Sequence, residues 1–406
     1  MAIIVQKFGG TSVGSLERIE NVAEQIIKTK RQGHQVVAVL SAMSGETNRL
    51  TELANQLDPN PSPREVDMLL ASGEQVSIAL LSIALIKRGF SAVSLLAHQI
   101  GLQTDNRFNK ARILNVDNQR MLQELQQGHI VIVAGFQGVD HEGNITTLGR
   151  GGSDTSAVAI ATALQAKECQ IFTDVDGVYT TDPRIDENAR KLPYVSFEEM
   201  LEMASSGAKV LQSRSVEFAG NHKMPLRVLS SFTEGEGTSI TFEQQADKKH
   251  PVSAITSHKD EAMICVVGIQ CGEQFRSKLL ILLAKVDIEI DMLTQTAKDV
   301  DKINFTFTVH QHDYQQAMLI TKSLTAKFSV DELFGDNRVV KVSAIGNGMR
   351  SHSGVAAKLF ECLLANNIDV YLVSAAEIKI SVLVKEENLT RSVQVLHKKF
   401  QLNTII

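Results

Sequence analysis

The chain has 406 residues, of which 43% are hydrophobic and 21% charged. This length predicts two or three domains, and this composition is typical of a globular protein with a large core. The net charge of −5, with both signs intermixed, offers no basic face for nucleic acid. The four cysteines lack C-x-x-C spacing, which argues against a disulfide framework and indicates thiols in a reducing compartment.

The N-terminal residues combine a short apolar strand with a lysine and a glycine pair. Residues 3–8 lead into Gly9-Gly10-Thr11-Ser12, and from Leu16 onwards apolar residues recur at helical spacing. The glycines are therefore predicted at a strand-to-helix turn, where backbone N–H groups, the helix N-terminus and the Lys7 ammonium suit a nucleotide phosphate. The alternative is a plain strand-to-helix connection. Neither a Walker A sequence nor G-x-G-x-x-G occurs, so a bound phosphate requires a different architecture.

Short β-branched segments alternate with helical patterns over the first 240 residues. We predict strands at residues 36–40, 92–96, 129–134, 170–173 and 226–229. This alternation predicts a largely parallel sheet with helices on both faces. Two helix starts, Ser62-Pro63-Arg64-Glu65 and Ser196-Phe197-Glu198-Glu199, fit the capping box.

The longest apolar run, residues 76–86, is interrupted by two serines. It is shorter than the roughly 20 residues that span a bilayer, and we predict a buried core helix. No positively charged leader precedes the first strand, so we expect a cytoplasmic protein without membrane partners.

Polar and glycine-rich segments follow several predicted strands, at residues 41–47, 135–138 and 173–177. Ligands of open α/β sheets bind beyond the carboxyl ends of the strands, so these segments are expected to line the site. Residues 146–156 add a second glycine-rich signal, in which Ser153, Asp154 and Thr155 are good N-cap residues. Arg150, between glycines, can grip a carboxylate or phosphate bidentately. Asp154 can hold Lys7 in place or engage magnesium.

The third signal is a strand end that runs into a polar loop, residues 173–184. It lacks the remaining ligands of a calcium loop. One aromatic residue, hydroxyls and Arg184 suit an adenine nucleotide, and an ordinary surface turn is the alternative. Gly207-Ala208-Lys209 falls in a predicted helical region, where a lone lysine is normally a solvated charge.

A polar stretch at residues 243–251 indicates a linker, and the chain beyond it repeats itself. A shift of 80 positions superposes Gly268 on Gly348, and the flanking apolar residues also coincide. Each copy has the pattern strand, loop, helix, strand and alternating strand, which predicts two small, similar α+β modules. A duplicated packing module without a ligand is the alternative to a binding function.

Five motifs in this order resemble the aspartate kinase branch of the amino-acid kinase family. They are Val5-Gln6-Lys7-Phe8-Gly9-Gly10-Thr11-Ser12, Ser41-Ala42-Met43, Gly149-Arg150-Gly151-Gly152-Ser153-Asp154, Thr173-Asp174-Val175-Asp176-Gly177-Val178-Tyr179-Thr180-Thr181-Asp182-Pro183-Arg184 and Gly207-Ala208-Lys209-Val210-Leu211. The trailing repeats resemble that family's ACT modules. The resemblance implies an α/β fold, an αβα sandwich with a mostly parallel sheet over residues 1–242. Two ferredoxin-like ACT modules would follow at 252–335 and 336–406, and the two modules could exchange strands.

The resemblance implies transfer of the γ-phosphoryl group of MgATP to the side-chain carboxylate of L-aspartate, the first step towards lysine, threonine and methionine. Asp154 would orient Lys7, and Lys209 would stabilise charge from the other side. The implied ATP-binding residues are Lys7, Gly9, Gly10, Thr11, Ser41, Thr173, Asp174, Tyr179, Arg184 and Lys209. The implied aspartate-binding residues are Thr47, Glu74, Arg150 and Ser153, with Arg150 on the α-carboxylate and Glu74 on the ammonium.

The match is weaker in the repeats. The first has Cys271-Gly272-Glu273-Gln274 where the family usually has Asp-Lys-Pro-Gly, and Asp369 and Ala376 replace common asparagine and serine; Gln295 and Glu377 match. Lysine or threonine as effector is therefore a hypothesis. We also expect a homodimer or higher oligomer through the ACT modules and a monofunctional enzyme. The alternatives are a glutamate or acetylglutamate kinase and a catalytically silent amino-acid sensor.

Overall fold

The computed structural model of the chain divides into two compact units. The first comprises Met1–Val178, Lys191–Ser205 and Lys209–Gln245, and the second Tyr179–Arg190, Ser206–Ala208 and Ala246–Ile406. Within these ranges the structure describes residues 2–208, 210–242, 251–299 and 302–404.

The first unit consists of short strands and helices that alternate along the chain. Its strands are β1 (Ile3–Phe8), β2 (Gln35–Leu40), β3 (Ala92–Leu95), β4 (Leu102–Thr104), β5 (Ile113–Val116), β6 (Ile130–Ala134), β7 (Gln137–Val139), β8 (Ile145–Thr147), β9 (Glu168–Thr173), β10 (Val178–Tyr179, whose last residue begins the second unit), β11 (Lys191–Leu192), β12 (Tyr194–Ser196), β13 (Leu226–Ser230) and β14 (Thr238–Thr241). Its helices are α1 (Leu16–Arg31), α2 (Glu46–Leu57), α3 (Pro63–Leu70), α4 (Ser72–Lys87), α5 (Gln119–Gln126), α6 (Gly152–Ala163), α7 (Phe197–Ser205) and α8 (Ser213–Asn221).

An eight-stranded sheet, in the order β12-β14-β13-β9-β1-β2-β6-β3, forms the centre of this unit. Its neighbouring strands are parallel except for β13 and β14. Because side chains alternate along a strand, Phe8 and Ala38 face the core shared with α1 and α4. Val5 and Val37 are buried on the other face, where α6 packs against β1. The predicted parallel sheet with helices on both faces is confirmed.

Of the two capping boxes predicted from the sequence, one forms in the structure. The Ser196 capping box forms, since its hydroxyl accepts the Glu199 N–H at 3.1 Å and the Glu199 carboxylate accepts the Ser196 N–H at 3.3 Å. The prediction at Ser62 was wrong in detail, because α3 begins at Pro63 without a side-chain cap.

Two further local predictions were wrong. The N-cap of α6 is Gly151 at φ +72°, so Ser153, Asp154 and Thr155 lie inside the first turn of that helix and are not its caps. Gly207 has φ +103° in a turn after α7, because the helix ends at Ser205.

Residues 63–87 are apolar and long enough to cross a membrane by composition and length alone. They form α3 and α4, which meet at Ala71. Leu81 and Leu85 are fully buried in the core cluster of the first unit. The run at residues 76–86 therefore packs one face into the core as predicted, but Val76, Ile83 and Ile86 on its other face are exposed.

The second unit contains one antiparallel sheet and two pairs of packed helices. Its strands are β15 (Ala254–Gln270), β16 (Ile290–Asp299), β17 (Lys302–His310), β18 (Glu332–Ile345), β19 (Leu372–Ala375) and β20 (Lys379–Lys385). Its helices are α9 (Gly272–Lys285), α10 (Tyr314–Thr325), α11 (Val355–Ala365) and α12 (Leu389–Lys399). The strand order is β16-β17-β15-β18-β20-β19. The order of elements repeats as β15-α9-β16-β17-α10 and β18-α11-β19-β20-α12, in agreement with the predicted duplication.

The boundaries of the two repeats differ from the division predicted from sequence. The boundary between residues 335 and 336 falls inside β18, which pairs with β15 along most of its length. Val252 and Ile255, assigned by sequence to the first module, lie in the hydrophobic cluster of the second repeat. The first repeat has its own cluster around Phe275 and Phe305. One long strand, β15, thus serves both repeats, a relation that local periodicity does not reveal.

The loop at residues 179–190 is attached to α12 within the second unit. His397 is buried, with Nε2 2.9 Å from the Thr180 hydroxyl and Nδ1 3.0 Å from the Asp186 carboxylate. Burial lowers the pKa of His397, and Asp186 opposes that shift. Gln394 also donates to the carbonyl of Ile185 at 2.9 Å. The C-terminal helix therefore holds the loop that carries Arg184.

Candidate active site

The carboxyl ends of five strands meet at one edge of the parallel sheet. The register pairs Lys7 with Ile171, Phe8 with Leu40, Leu40 with Ala134 and Ser230 with Thr173. The ladder continues one residue further, with N–H donation from Ser41 to Phe8 at 3.1 Å, from Gly135 to Leu40 at 2.9 Å and from Ser231 to Thr173 at 2.8 Å. The polar segments predicted to line the site are therefore adjacent.

The glycine turn after β1 is a single turn of 3-10 helix, Gly10–Val13, followed by α1. Ser15 caps α1 by accepting the Arg18 N–H at 3.3 Å. The hydroxyl of Ser12 is buried and lies 2.5 Å from that of Ser231, which connects the turn to the end of β13. The predicted strand-to-helix turn is confirmed, and its position between neighbouring strand ends is now defined.

Lys7 and Asp154 form a buried ion pair at this turn. The two side chains are 11% and 10% exposed, and Nζ lies 2.6 Å from Oδ1. Lys7 shares the sheet face of Val5, on which α6 presents Asp154 from its first turn. A Cβ added to Gly9 would lie 3.3 Å from Nζ, so the ammonium is next to the glycine turn. The arrangement places a fixed positive charge where an anion can reach it.

Glu74 is a buried carboxyl behind the segment that follows β2. Its Oε1 accepts the Ala42 N–H at 2.9 Å, and its Oε2 makes no hydrogen bond with any described residue. A Cβ on Gly73 would lie 2.8 Å from that of Ala42, so only glycine permits this approach of α4. Burial raises the pKa of Glu74 to about 8, although the Ala42 N–H opposes the shift. Such a group gains most from a cationic partner.

Arg150 lies on the loop that precedes α6, and Ser153 lies in the first turn of this helix. Arg150 is exposed between Gly149 and Gly151, which have φ values of +74° and +72°. Ser153 is buried, and its Oγ would lie 3.0 Å from a Cβ placed on Gly135. Ser153 therefore reaches the end of β6. Thr47 lies in the first turn of α2 and is partly exposed.

The predicted nucleotide residues fall in different parts of the chain. Thr173 ends β9, and its hydroxyl donates to the Asp174 carboxylate at 3.0 Å. Tyr179 and Arg184 belong to the second unit, where the Arg184 guanidinium lies 2.8 Å from Asp182. Lys209 lies outside the described residues. Their contacts with a nucleotide stay predictions.

The two predicted effector residues are exposed and lie in the second unit. The side-chain oxygen of Gln295 accepts from Arg276 at 2.7 Å, and Glu377 pairs with Arg350 at 3.1 Å. Each is thus anchored by an arginine. Their role as effector ligands stays a prediction.

Sequence reasoning missed Ser231 and Asp67, and it did not predict the backbone conformation of Phe136. Ser231 follows β13, and the rule that ligands lie beyond the carboxyl ends of strands could have found it. Phe136 follows β6 with φ +68°, an uncommon conformation that no sequence signal announces. Asp67 is fully buried on α3, one helical turn before the buried Leu70. A carboxylate on an apolar helix face was the available signal.

Comparisons with known proteins agree with this fold. Residues 2–230 match the amino acid kinase family, and residues 342–400 match the ACT domain. The chain is 51% identical over 404 residues to an aspartate kinase of Stutzerimonas stutzeri, covering 99% of this chain and 98% of that protein. It is 44% identical over 403 residues to aspartokinase 2 of Bacillus subtilis, with the same coverage.

Solved structures give the same result. E. coli aspartokinase III in complex with aspartate and ADP has a TM-score of 0.81 at 25% identity, covering 98% of this chain and 99% of that chain. The same enzyme in complex with lysine and aspartate has a TM-score of 0.78 at 25% identity, with the same coverage.

The largely parallel sheet and the match to these kinases define an α/β protein of the phosphotransferase class. The chain belongs to the amino acid kinase family and, within it, to the aspartate kinases.

Proposed function

We propose that Lys7, held by Asp154, stabilises the γ-phosphoryl group of ATP while this aspartate kinase transfers it to the side-chain carboxylate of L-aspartate. The observation that carries this proposal is the buried 2.6 Å ion pair beside the glycine turn. A carboxylate is already a nucleophile, so the site needs no strong base. Its task is to align two anions and to offset their repulsion.

Phosphate binding in this proposal uses the turn at Gly9 and Gly10. Its backbone N–H groups and the N-terminus of α1 supply partial positive charge, and the Lys7 ammonium supplies a full one. Charge that develops on the migrating phosphoryl group is then stabilised by donors already in place. Thr173 and Asp174 lie beside the turn, because the register of β1 and β9 ends there.

Magnesium fits this site as an ion held mainly by the nucleotide. Among the described residues there is no group of three His, Cys, Asp or Glu side chains that could hold a metal. Mg²⁺ usually keeps several waters and binds substrate phosphates with one or two carboxylates, for which Asp174 and Asp154 are the candidates. When bound, the ion would offset phosphate charge.

Aspartate would be recognised through the charges of its α-carboxylate and its α-ammonium group. Arg150 is exposed on its glycine-flanked loop and would bind the α-carboxylate bidentately. Glu74 would bind the ammonium through the oxygen that lacks a partner among the described residues. Ser153 and Thr47 would position the acceptor carboxylate. The aspartate in the E. coli aspartokinase III complex supports an amino-acid acceptor at this site.

Replacing Arg150 with alanine should raise the KM for aspartate by about 10- to 100-fold, since charged hydrogen bonds contribute roughly 1.5–3 kcal/mol. The KM for ATP should change little. The acyl phosphate can be trapped with hydroxylamine, with aspartate or glutamate as acceptor. Arg120→Ala is the control, because Arg120 is an exposed arginine that pairs with Glu124 on its own helix, α5. An equal loss of affinity for both substrates would contradict the assignment, and faster turnover of glutamate than of aspartate would contradict the acceptor.

We also propose that the two ACT repeats bind an amino-acid effector, with lysine as the first candidate. E. coli aspartokinase III has been crystallised with lysine and aspartate in its T-state, which supports this choice. Gln295 and Glu377 would contact the effector. Activity should therefore fall when lysine and threonine are added singly or together at millimolar concentration. Full activity in the presence of both would make these repeats structural.

The proposed assembly is a homodimer or higher oligomer in the cytoplasm. The outer strands of the second sheet, β16 and β19, are consistent with pairing between copies. Leu293 on β16 is 45% exposed and Val373 on β19 is 39% exposed, so both outer strands carry exposed apolar side chains.

A further inference from the structure

The first unit contains a fully buried carboxylate that the reaction does not use. Asp67 on α3 is 0% exposed, and three donors from two other segments converge on it. The Asn109 N–H lies 3.0 Å from both carboxylate oxygens, the Thr147 N–H 2.7 Å from Oδ2, and the Thr147 hydroxyl 2.6 Å from Oδ1. Burial raises the pKa of Asp67, and these hydrogen bonds oppose the shift.

These hydrogen bonds connect α3 to the strand that precedes the loop carrying Arg150 and to a second segment that packs against this loop. Thr147 ends β8, three residues before Arg150. Ala111 donates its N–H to the Thr147 carbonyl at 2.9 Å, so the segment around Asn109 runs beside this loop. A Cβ on Gly149 would lie 2.8 Å from the Asn109 carbonyl oxygen, which shows how closely the two segments pack.

Burying a carboxylate is costly unless several donors surround it, so the position serves a defined structural purpose. Thr147 lies two residues before Gly149 in the chain, and the backbone of Asn109 packs against Gly149. Asp67 holds both of these segments, and the residue after Gly149 is Arg150. The guanidinium can then meet its ligand without first ordering the loop that carries it, which lowers the entropic cost of binding.

We propose that Asp67 is a positioning residue that presents Arg150 to the α-carboxylate of aspartate. The inference rests on the proposed role of Arg150. It assigns Asp67 no contact with substrate.

The chain provides a matched control in the β7–β8 hairpin, whose last residue is Thr147. Asp140 lies at the opposite end of the β7–β8 pair, is 5% exposed, and likewise accepts three hydrogen bonds. Its donors are the N–H groups of Glu142 and Asn144 and the Asn144 amide, at 2.9, 2.8 and 3.0 Å. Asp140→Ala therefore removes three hydrogen bonds within the hairpin, at the end away from Arg150. Asp67→Ala removes the two donated by Thr147 at the other end, together with that of Asn109.

The test compares Asp67→Ala and Asp140→Ala in the full chain. We expect Asp67→Ala to raise the KM for aspartate about tenfold and to leave the KM for ATP nearly unchanged, which corresponds to about 1.4 kcal/mol of binding. Asp140→Ala should leave both KM values nearly unchanged. An equal rise for both substrates in Asp67→Ala, or the same aspartate effect in Asp140→Ala, would show that Asp67 is merely structural.

A double-variant cycle separates this inference from the proposed function. In the Arg150→Ala background, Asp67→Ala should cause no further rise in the KM for aspartate, because interacting residues are not additive. A full additional rise would overturn the inference and leave Arg150 in its proposed role. An Arg150→Ala variant with unchanged KM for aspartate would overturn both. If Asp67→Ala does not fold, Thr147→Val takes its place, since it removes the 2.6 Å bond alone.

Discussion

Lys7→Met should lower kcat by about 10²- to 10³-fold, because loss of one preorganised donor to a developing charge costs roughly 3–4 kcal/mol. Methionine keeps most of the length of the side chain and removes its charge. The KM for aspartate should change far less than kcat. The measurement is steady-state turnover with hydroxylamine trapping. Lys28→Met is the matched control, since Lys28 on α1 is exposed and its ion pair with Glu234 lies at the surface.

Stability must be separated from catalysis in this variant, because Lys7→Met leaves Asp154 as an unpaired charge with a side chain only 10% exposed. The double variant Lys7→Met/Asp154→Asn removes both charges. It should be more stable to thermal unfolding than Lys7→Met and equally inactive. Recovery of turnover in the double variant would mean that Lys7 serves only to neutralise Asp154, and its proposed contact with the phosphates would be wrong.

Glu74→Gln should raise the KM for aspartate by about 10- to 100-fold and make it less dependent on pH. Glutamine keeps the shape of the side chain but cannot ionise, so it forgoes a charged hydrogen bond of roughly 1.5–3 kcal/mol. In the ligand-free protein the pKa of Glu74 is about 8, so binding of an ammonium requires release of its proton near neutral pH. The KM for aspartate should therefore fall as the pH rises from 6 to 8.

The same carboxyl has a predictable effect on stability. Its pKa is about 8 in the folded chain and 4.5 without the fold, so between these values the folded state binds more protons than the unfolded state. The free energy of unfolding contributed by Glu74 therefore decreases as the pH rises through this interval. Thermal unfolding of Glu74→Gln from pH 5 to pH 8 should show a smaller decrease than that of the parent chain.

The control for both measurements is Glu65→Gln. Glu65 is exposed on the adjacent helix α3 and pairs with Arg64. It should reproduce the parent pH profile of aspartate binding and of unfolding. A Glu74→Gln variant with an unchanged KM for aspartate would remove Glu74 from the substrate site. A parent enzyme whose KM for aspartate rises towards pH 8 would contradict the proposed proton release.

The elements that the sequence predicted best are those whose stability is local. The strands around Val37, Ile132 and Val228 were identified within two residues, because β-branched runs between turn residues have few alternatives. The capping box at Ser196 formed for the same reason, since its partners lie within one helical turn. The Ser62 box did not form, although Ser62 and Pro63 occupy the predicted N-cap and first helical positions. The predicted cap at Ser153, Asp154 or Thr155 was wrong because Gly151 is the N-cap of α6.

The candidate site shows the same division. Lys7, Asp154 and Arg150 were found in glycine-rich motifs, and their order along the chain identified the family. Ser231 and Asp67 were missed, because their importance arises from contacts with Thr173 and Thr147, which lie 58 and 80 positions away in the sequence.

By itself, the sequence determined the parallel α/β class and the duplicated C-terminal repeats, because periodicity is a property of neighbouring residues. The chemistry of a carboxylate kinase followed from the resemblance of its motifs to those of the aspartate kinases. Only the tertiary structure decided the 2.6 Å approach of Lys7 to Asp154, the burial that raises the pKa of Glu74, and the use of β15 by both repeats. Distances, desolvation and strand pairing between remote segments depend on how the whole chain packs, and no local pattern encodes them.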